Sequence, residues 1–221
     1  MNVLVLGASR GIGLELARQY RAEGHKVTAT ARTPDGLGAL EALGASALKL
    51  DVTDAASCAG LAWQIDGEAF DTVWLVAGVY GPRSSGLQAP TQAEFDAVMH
   101  TNVLAAMRLL PVVAEALAPG ARIALLSSRM GSIGLRANAN GWLYRASKAA
   151  LNSLMKDAAI ALEGRALCVS LHPGWVRTDM GGSGADIDVQ HSARTLRATV
   201  AALGPAQTGS FLNHDGQPLS W

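Results

Sequence analysis

The chain has 221 residues, and its 18 basic and 18 acidic side chains give a formal net charge of zero at neutral pH. This balance, with no run of like charges, argues against a nucleic acid or an anionic membrane surface as a partner. Hydrophobic residues make up 49% of the chain and charged residues only 16%, which excludes a disordered protein and predicts one globular domain over residues 1–221.

The first predicted element is a strand followed by a glycine-rich turn. Val3 to Leu6 is a short apolar run, typical of a strand buried in a parallel sheet. Gly7-Ala8-Ser9-Arg10-Gly11-Ile12-Gly13 then opens a predicted helix from Leu14 to Arg21. Such glycines let the backbone approach a pyrophosphate, whose charge meets the free N–H groups of the helix. Cofactor binding by this turn is the prediction, and a glycine-rich turn without a ligand is the alternative.

A second strand, Lys26 to Ala31, is followed at once by Arg32. An acidic residue at this point would bind the ribose 2′-hydroxyl of NAD, whereas a basic one accommodates the 2′-phosphate of NADP. Arg32 and Arg10 therefore predict a cationic pocket and a preference for NADP(H) over NAD(H). The alternative is that both arginines are solvated loop residues.

The third strand is predicted at Ala47 to Leu50, after a short helix from Leu37 to Leu43. Asp51 and Val52 come directly after this strand. An open α/β sheet binds its ligand at the carboxyl ends of its strands. We therefore expect Asp51 to contact the adenine of the cofactor, with Val52 beside it.

A helix from Ala55 to Ile65 leads to a fourth strand, Asp71 to Val76, which closes on Ala77 and Gly78. Strands and helices that alternate at this rhythm predict βαβ units with right-handed crossovers. The backbone at Ala77 and Gly78 is predicted to run beneath the bound cofactor.

One long helix is predicted from Thr91, as N-cap, to Leu117, with Glu94 completing a capping box. Asn102 lies inside this helix. Because asparagine is a poor residue for the middle of a helix, it is either a surface accident or a residue that bends the helix and exposes a carbonyl. Pro111 is a second candidate for a kink.

The fifth strand, Ala121 to Leu126, delivers Ser127 and Ser128 to the carboxyl edge of the sheet. A loop rich in Gly, Asn and Ala then runs to Trp142. Aromatic, basic and Met residues on this and neighbouring loops are predicted either to line a substrate pocket or to pack; these are Tyr80, Arg83, Arg129, Met130, Trp142, Trp175 and Met180.

Tyr144 and Lys148 are four residues apart on a predicted helix from Leu143 to Leu162. Four residues is about one turn, so the two side chains share a face. A lysine cation beside a phenol favours the phenolate, which predicts that Tyr144 gives and takes a proton near neutral pH. The alternative is an unrelated pair on a solvated helix face.

The last part of the chain continues the alternation of strands and helices. A buried strand from Ala166 to Leu171 ends in His172-Pro173-Gly174-Trp175-Val176-Arg177-Thr178. Glycines at 181, 182 and 184 follow, then a predicted helix from Ser192 to Leu203 and a strand from Gly209 to Leu212.

Cysteine and histidine usage gives no indication of a disulfide framework or a metal site. Cys58 and Cys168 are the only cysteines, and the five histidines do not cluster at metal-ligand spacing. No basic leader precedes the N-terminal run, and no apolar run approaches about 18 residues, so we expect neither a signal peptide nor a membrane-spanning helix. A soluble, cytoplasmic protein is predicted.

Together these residues resemble the short-chain dehydrogenase/reductase family over nearly the whole chain. In that family a GxxxGIG turn binds the cofactor, an aspartate after the third strand contacts adenine, and an Asn-Ser-Tyr-Lys set performs the chemistry. The matching positions are Gly7, Gly11, Ile12 and Gly13, then Asp51, then Asn102, Ser128, Tyr144 and Lys148. Ser128 is chosen over Ser127 because Gly131 follows it at the family's S-x-x-G spacing. The resemblance implies an α/β fold: one Rossmann-like, doubly wound parallel sheet of about seven strands with helices on both faces.

Pro173 to Thr178 is similar to the family's PG motif, which implies that Pro173, Gly174, Val176 and Thr178 hold the nicotinamide. The glycine-rich segment after Met180 and the ending Asn213 to Trp221 resemble the C-factor and sniffer-type carbonyl reductase branch. Two departures stand out. Leu75-Val76 replaces the family's Asn-Asn before Ala77-Gly78, and the loop before Tyr144 is longer than usual, which affects the shape of the pocket.

The resemblance implies an NADPH-dependent oxidoreductase that interconverts an alcohol and a carbonyl compound, which is a ketone, aldehyde or quinone. Ser128 and Tyr144 would bind the carbonyl oxygen, and Tyr144 would donate the proton. Lys148 would lower the pKa of Tyr144 and hold the ribose hydroxyls, and Asn102 would anchor a water that relays protons to Lys148. A homodimer or homotetramer is also implied. The alternative is a non-catalytic NADP(H)-binding sensor or signalling protein on the same fold.

Overall fold

Seven strands form a single sheet in the computed structural model, which describes residues 1 to 221. The strands are Asn2–Leu6 (β1), Lys26–Ala31 (β2), Ser46–Lys49 (β3), Phe70–Leu75 (β4), Leu117–Leu126 (β5), Ala166–His172 (β6) and Ser210–Asn213 (β7). Their order is β3-β2-β1-β4-β5-β6-β7, and every neighbouring pair is parallel.

The helices occupy the crossovers between these strands. They are Gly11–Ala22 (α1), Pro34–Ala42 (α2), Ala55–Gln64 (α3), Gln92–Met99 (α4), Ala105–Ala114 (α5), Trp142–Ala161 (α6) and Val189–Ala201 (α7). Apolar side chains fill both faces of the sheet. Leu16, Leu40 and Leu196 belong to the cluster under α1, α2 and α7, and Leu61 and Met155 to the cluster under α3, α5 and α6.

The order of the strands reverses at the centre of the sheet. The chain builds outward from β1 to β3, then returns to place β4 on the other side of β1. In an open α/β sheet, the ligand crevice lies at such a switch point, outside the carboxyl ends of the strands. The predicted fold, a doubly wound parallel sheet with helices on both faces, is confirmed.

The predicted helix from Thr91 to Leu117 is interrupted and shorter. Its capping box is present: the Thr91 hydroxyl accepts from the Glu94 N–H, and the Glu94 carboxylate accepts from the Thr91 N–H. A π-helical turn at His100–Leu104 then separates α4 from α5, and Asn102 sits in this turn. The helix ends at Ala114 and not at Leu117, because Leu117 is the first residue of β5. Leu117 pairs with Phe70 of β4, and the register of the two strands shifts after this pair.

The helical stretch Gln92–Ala114 bears on the expectation that the chain has no membrane-spanning helix. With 23 residues it is long and apolar enough, by length and composition alone, to cross a membrane. Val98, Leu109 and Val113 of this stretch are buried in the protein. Since a core helix passes the same test, the finding is weak evidence for a membrane span.

Three helices begin three residues earlier than the sequence predicts: α1 at Gly11, α2 at Pro34 and α7 at Val189. Thr33 caps α2 by accepting a hydrogen bond from Gly36, and Asp188 caps α7 by accepting one from His191. Side-chain oxygens at these positions satisfy N–H groups that have no partner within the helix.

Candidate active site

The glycine turn lies flat against the end of β4. Gly7 has φ +92°, and a Cβ there would lie 2.7 Å from the backbone nitrogen of Ala77. A Cβ on Gly13 would lie 2.2 Å from the carbonyl oxygen of Gly7. No side chain caps α1 at Arg10, and its first turn holds no acidic residue. The backbone of the turn is therefore accessible to a ligand without interference from side chains, and the N–H groups at the N-terminus of α1 have no side-chain cap. Both features fit the binding of a pyrophosphate.

The glycine turn also meets the end of β2. A Cβ on Gly36 would lie 2.9 Å from the Cβ atoms of both Ser9 and Ala31. Arg32, the next residue, is exposed and forms no ion pair. An exposed arginine directly after β2 fits a phosphate on the adenosine half of a dinucleotide.

Arg10 does not join Arg32 in the structure. Its Nη1 donates a 2.8 Å hydrogen bond to the carboxylate of Asp179, and both side chains are exposed. An exposed pair of this kind contributes little to stability. Of the two arginines that were predicted to form a cationic pocket, Arg32 therefore has no ion-pair partner and Arg10 is paired with Asp179.

Asp51 lies just past β3, where the adenine contact is predicted, with Val52 next to it. Its carboxylate accepts hydrogen bonds from the Thr53 hydroxyl at 2.7 Å and the Thr53 N–H at 2.9 Å. These bonds, with a smaller contribution from the Arg32 charge, lower the pKa of Asp51. The group is therefore an ionised acceptor at neutral pH.

Asn102 is buried, which rules out the surface alternative. Its Nδ2 donates to the carbonyl of Val79 at 2.8 Å and to the Ser147 hydroxyl at 2.9 Å, and its Oδ1 accepts from the Val79 N–H at 2.8 Å. A Cβ on Gly78 would lie 3.3 Å from Asn102 Oδ1 and 3.4 Å from Lys148 Nζ. The end of β4, the π-helical turn and α6 therefore converge at Gly78.

Tyr144 and Lys148 are both buried, with 6% and 4% of their surface exposed. This burial excludes the solvated-face alternative. Lys148 Nζ lies 5.7 Å from the centroid of the Tyr144 ring and donates a 2.8 Å hydrogen bond to the carbonyl of Leu126. Burial lowers the pKa of Lys148 to about 8.

The predicted lowering of the Tyr144 pKa is wrong in direction. Burial raises the pKa of Tyr144 to about 12, and the neighbouring Ser128 hydroxyl lowers it by less. Burial has this effect because the charged form of a buried acid loses its hydration. Tyr144 is therefore a neutral phenol at pH 7, able to donate a proton.

Ser128 follows β5, and its Oγ accepts a 3.1 Å hydrogen bond from the Met130 N–H. Gly131 ends the short 3₁₀ turn that begins after Ser128. A Cβ on Gly131 would lie 2.8 Å from the carbonyl carbon of Lys148, so the S-x-x-G spacing reflects close packing of this turn on α6. Ser127 instead directs its hydroxyl at the Lys148 carbonyl, at 3.4 Å.

The segment after β6 closes the crevice from the other side. The Pro173 carbonyl accepts a 2.7 Å hydrogen bond from Ser192 of α7, and Val176 pairs with Ile187. A Cβ on Gly11 would lie 3.5 Å from the Thr178 methyl group. The PG segment, with Gly174 at φ +88°, thus reaches back to the N-terminus of α1.

The long loop between Ser128 and Tyr144 is held at both ends. The Gly134 N–H donates a 2.9 Å hydrogen bond to the carbonyl of Trp221. Arg145, which is buried, donates from Nη2 to Asn138 Oδ1 at 2.7 Å and from Nε to the carbonyl of Asn140 at 2.8 Å. Trp221 and Arg145 therefore anchor the loop that precedes Tyr144.

Sequence reasoning missed four of these contacts. Ser147 binds Asn102, Asp179 binds Arg10, Arg145 holds the loop, and Trp221 supports it. Arg145 and Ser147 lie between Tyr144 and Lys148, so the helical motif itself pointed to them. The other two residues lie on segments whose paths no local pattern reveals.

The fold and the site together define a class of protein. A doubly wound sheet carries a glycine turn at its switch point, and a serine, a tyrosine and a lysine stand at the same edge. This combination defines an oxidoreductase that uses a nicotinamide dinucleotide.

Comparison with known proteins identifies the family. A family model described as short chain dehydrogenase matches residues 1–186. The chain therefore belongs to the short-chain dehydrogenase/reductase family and is an oxidoreductase. Over 238 aligned residues it is 31% identical to 1-hydroxy-2-glutathionyl-2-methyl-3-butene dehydrogenase of Rhodococcus sp. (strain AD45), covering 100% of this chain and 99% of that protein.

Solved structures agree with this assignment. The carbonyl reductase Sniffer of D. melanogaster is 32% identical with a TM-score of 0.87, covering 100% of this chain and 99% of that chain. The NADPH-bound carbonyl reductase from chicken fatty liver is 30% identical with a TM-score of 0.87, covering 100% and 98%. The chain thus shares its whole fold with carbonyl reductases.

Proposed function

We propose that this enzyme is an NADP(H)-dependent carbonyl reductase that interconverts an alcohol and a ketone, aldehyde or quinone. The observation that carries the proposal is the placement of Ser128, Tyr144 and Lys148 at the same sheet edge as the glycine turn. The similarity to an NADPH-bound carbonyl reductase supports both the reaction and the cofactor.

Ser128 is arranged to donate a hydrogen bond to a carbonyl oxygen. When bound, the nicotinamide would supply the hydride in reduction and take it in oxidation. A serine hydroxyl has one donor and two acceptor positions, and the Met130 N–H already occupies an acceptor position on Ser128. That bond does not use the Ser128 proton, which would turn from the neighbouring Tyr144 hydroxyl to stabilise the oxygen on which negative charge develops.

Tyr144 would give its proton to that oxygen. Its raised pKa keeps the phenol protonated well above neutral pH, which suits the direction of carbonyl reduction. In alcohol oxidation the phenol must first lose its proton, and the ammonium of Lys148, 5.7 Å from the centroid of the ring, would stabilise the phenolate.

Lys148 would hold the ribose of the cofactor. Its ammonium has three N–H donors, and the carbonyl of Leu126 takes one. The two remaining donors can bind the ribose hydroxyls. Because its pKa is about 8, Lys148 carries its charge at neutral pH and loses it under mildly alkaline conditions.

Asn102 would act mainly by fixing the loop after β4. Both hydrogens of its amide nitrogen are used by Val79 and Ser147, so neither is free for a water. A proton relay from Asn102 to Lys148 therefore has to use the second lone pair of Oδ1 or the backbone carbonyl of the π-helical turn.

The remaining predicted residues are proposed to bind the cofactor. Arg32 and Arg10 would bind the 2′-phosphate, the latter by leaving Asp179, and Asp51 with Val52 would border the adenine. The pyrophosphate would rest on the glycine turn, and the nicotinamide on the PG segment. The other members of these sets are Gly7, Ser9, Gly11, Ile12, Gly13, Ala77, Gly78, Pro173, Gly174, Val176 and Thr178.

We also propose that residues 1–221 act as one dinucleotide-binding unit, that the protein works in the cytoplasm, and that it assembles as a homodimer or homotetramer. The two free, buried thiols of Cys58 and Cys168 support a reducing compartment. Light scattering on the purified protein tests the assembly, and a monomer at micromolar concentration would contradict it.

The proposed reaction is tested by a panel of aldehydes, ketones and quinones with NADPH, in which NADPH oxidation and the alcohol product are measured together. At least one carbonyl compound should be reduced with one alcohol formed per NADPH consumed. If NADPH binds with micromolar affinity and no compound turns over, the non-catalytic sensor is favoured instead.

A further inference from the structure

Tyr80 lies directly against the proposed proton donor. The rings of Tyr80 and Tyr144 are stacked, with centroids 4.6 Å apart and an angle of 24° between their planes. Stacked aromatic pairs at this separation attract each other beyond the apolar area that they bury. Tyr80 thus covers one face of the Tyr144 ring.

The Tyr80 ring is itself fixed from several sides. The backbone of the preceding residue, Val79, is held by the two hydrogen bonds to Asn102. At the far end of the ring, a Cβ on Gly141 would lie 2.4 Å from Tyr80 Oη, so only glycine leaves room for the ring at the N-cap of α6. The Met130 methyl group lies 3.4 Å from the position of that added Cβ.

Arg83 connects this stack to the segment after Thr178. Its guanidinium carbon lies over the Tyr80 ring, 5.2 Å from the centroid, and its Nη2 donates a 3.2 Å hydrogen bond to the carbonyl of Met180. A guanidinium at this distance is attracted by the face of the ring. Arg83 therefore keeps Tyr80 in place from the side of the nicotinamide segment.

We propose that Tyr80 is a positioning residue for Tyr144: its ring holds the Tyr144 phenol in the orientation that presents Oη to the substrate and keeps water from the ring face. The contact with Tyr144 is made by the stacked rings, so we assign this role to the Tyr80 ring and not to its hydroxyl. The groups that face Tyr144 are Ser128, Lys148 and Tyr80.

A comparison of Tyr80→Phe with Tyr80→Ala distinguishes a specific role of the Tyr80 ring from a general effect of the substitution on the structure. Tyr80→Phe should keep kcat and KM within about twofold of wild type, since the stack remains. Tyr80→Ala should lower kcat at least about tenfold and leave the KM for NADPH within about twofold, because it loosens only the proton donor. Equal kcat in both variants would overturn the proposal.

A second readout does not depend on the proposed reductase activity. The chain has only three tyrosines, so protein labelled with carbon-13 at tyrosine Cζ gives three resonances, and Tyr144→Phe identifies that of Tyr144. In wild type and Tyr80→Phe this resonance should remain that of a neutral phenol up to about pH 10, as its raised pKa requires. In Tyr80→Ala, water reaches the ring and the pKa should fall toward its ordinary value. Identical titration in Tyr80→Ala and Tyr80→Phe would contradict the positioning role.

The kinetic part of this inference rests on the proposed function, whereas the resonance titration does not. If no carbonyl compound is reduced but the Tyr144 resonance responds to Tyr80→Ala, the proposed function fails and the positioning role stands. Should Tyr80→Ala fail to fold, Gly141→Ala replaces it, because the added methyl group collides with Tyr80 Oη. Adding Tyr80→Phe to Gly141→Ala should restore at least part of the wild-type titration, and an absence of any restoration would count against the proposal.

Discussion

Asn102 and Val79 form two reciprocal hydrogen bonds of 2.8 Å, one from the asparagine amide to the valine carbonyl and one from the valine N–H to the amide oxygen. The π-helical turn brings the asparagine side chain to this position. The end of β4, where Leu75-Val76 stands in place of the family's Asn-Asn, is therefore held by a residue from the neighbouring helix. A local irregularity in one helix thus fixes the backbone beside the proposed site.

Asn102→Leu removes three buried hydrogen bonds at nearly constant volume. The N–H and carbonyl of Val79 lose their partner, whereas the Ser147 hydroxyl keeps its hydrogen bond to the carbonyl of Tyr144. We expect a loss of about 2–4 kcal/mol in the free energy of unfolding, measured by urea denaturation. Ser147→Ala is the matched control, since it removes only one of the three bonds and should cost about 1 kcal/mol. Equal losses in the two variants would show that the Val79 pair contributes nothing.

Gly131→Ala places a methyl group 2.8 Å from the backbone of Lys148, so α6 or the 3₁₀ turn must move. Such overpacking should destabilise the protein by about 1–3 kcal/mol and reduce activity, because Lys148 moves with its backbone. Gly60→Ala in α3 is the control: nothing lies within 4 Å of its added methyl group. It should stabilise the protein by roughly 0.5–1 kcal/mol, as alanine does within helices. Thermal and urea denaturation measure the change in stability of both variants, and a change of the opposite sign in either one would contradict the prediction.

Arg32→Ala should weaken NADPH binding by about tenfold or more and leave NADH binding within about twofold, because only NADPH carries the phosphate that pairs with a guanidinium. Isothermal titration calorimetry with each cofactor measures this difference. Arg194→Ala, an exposed arginine of α7, makes the same change in net charge away from the predicted pocket. Comparable affinity of wild type for NADPH and NADH would overturn the role given to Arg32 and Arg10.

Lys148 predicts a specific dependence of stability on pH. The folded chain holds the Lys148 proton up to about pH 8, whereas an unfolded lysine holds it to its ordinary value of 10.5. Between these values the unfolded chain binds more protons, so folding becomes more favourable as pH rises. Relative to Lys148→Met, wild type should gain on the order of 2 kcal/mol in unfolding free energy from pH 8 to pH 10. Parallel curves for the two proteins would mean that Lys148 keeps an ordinary pKa.

The sequence was most informative where a local pattern carries the structure. β1 and the Tyr144 to Lys148 helix have apolar periodicity and spacing that specify both the element and its end, and the structure has their ends within one residue of the prediction. The starts of α2 and α7 were missed because Thr33 and Asp188 compete with other capping candidates within a few residues. The early start of β5 depends on pairing with β4, which is a long-range contact.

The electrostatics of the site could not be obtained from spacing. A four-residue separation shows that Tyr144 and Lys148 share a helix face, but it does not show that the structure buries both. Burial determines the direction of both pKa shifts. In the same way, the ion pair of Arg10 with Asp179 and the stack of Tyr80 on Tyr144 depend on how loops from distant parts of the chain meet.

The central claim, that Tyr144 donates the proton in carbonyl reduction, is tested most directly by Tyr144→Phe under single-turnover conditions with saturating NADPH and a reactive carbonyl compound. Because the variant loses only a hydroxyl, NADPH affinity should stay within about threefold of wild type, while the rate of alcohol formation should fall by a factor of about 10² to 10⁴. A variant that reduces the same compound at the wild-type rate would contradict the account.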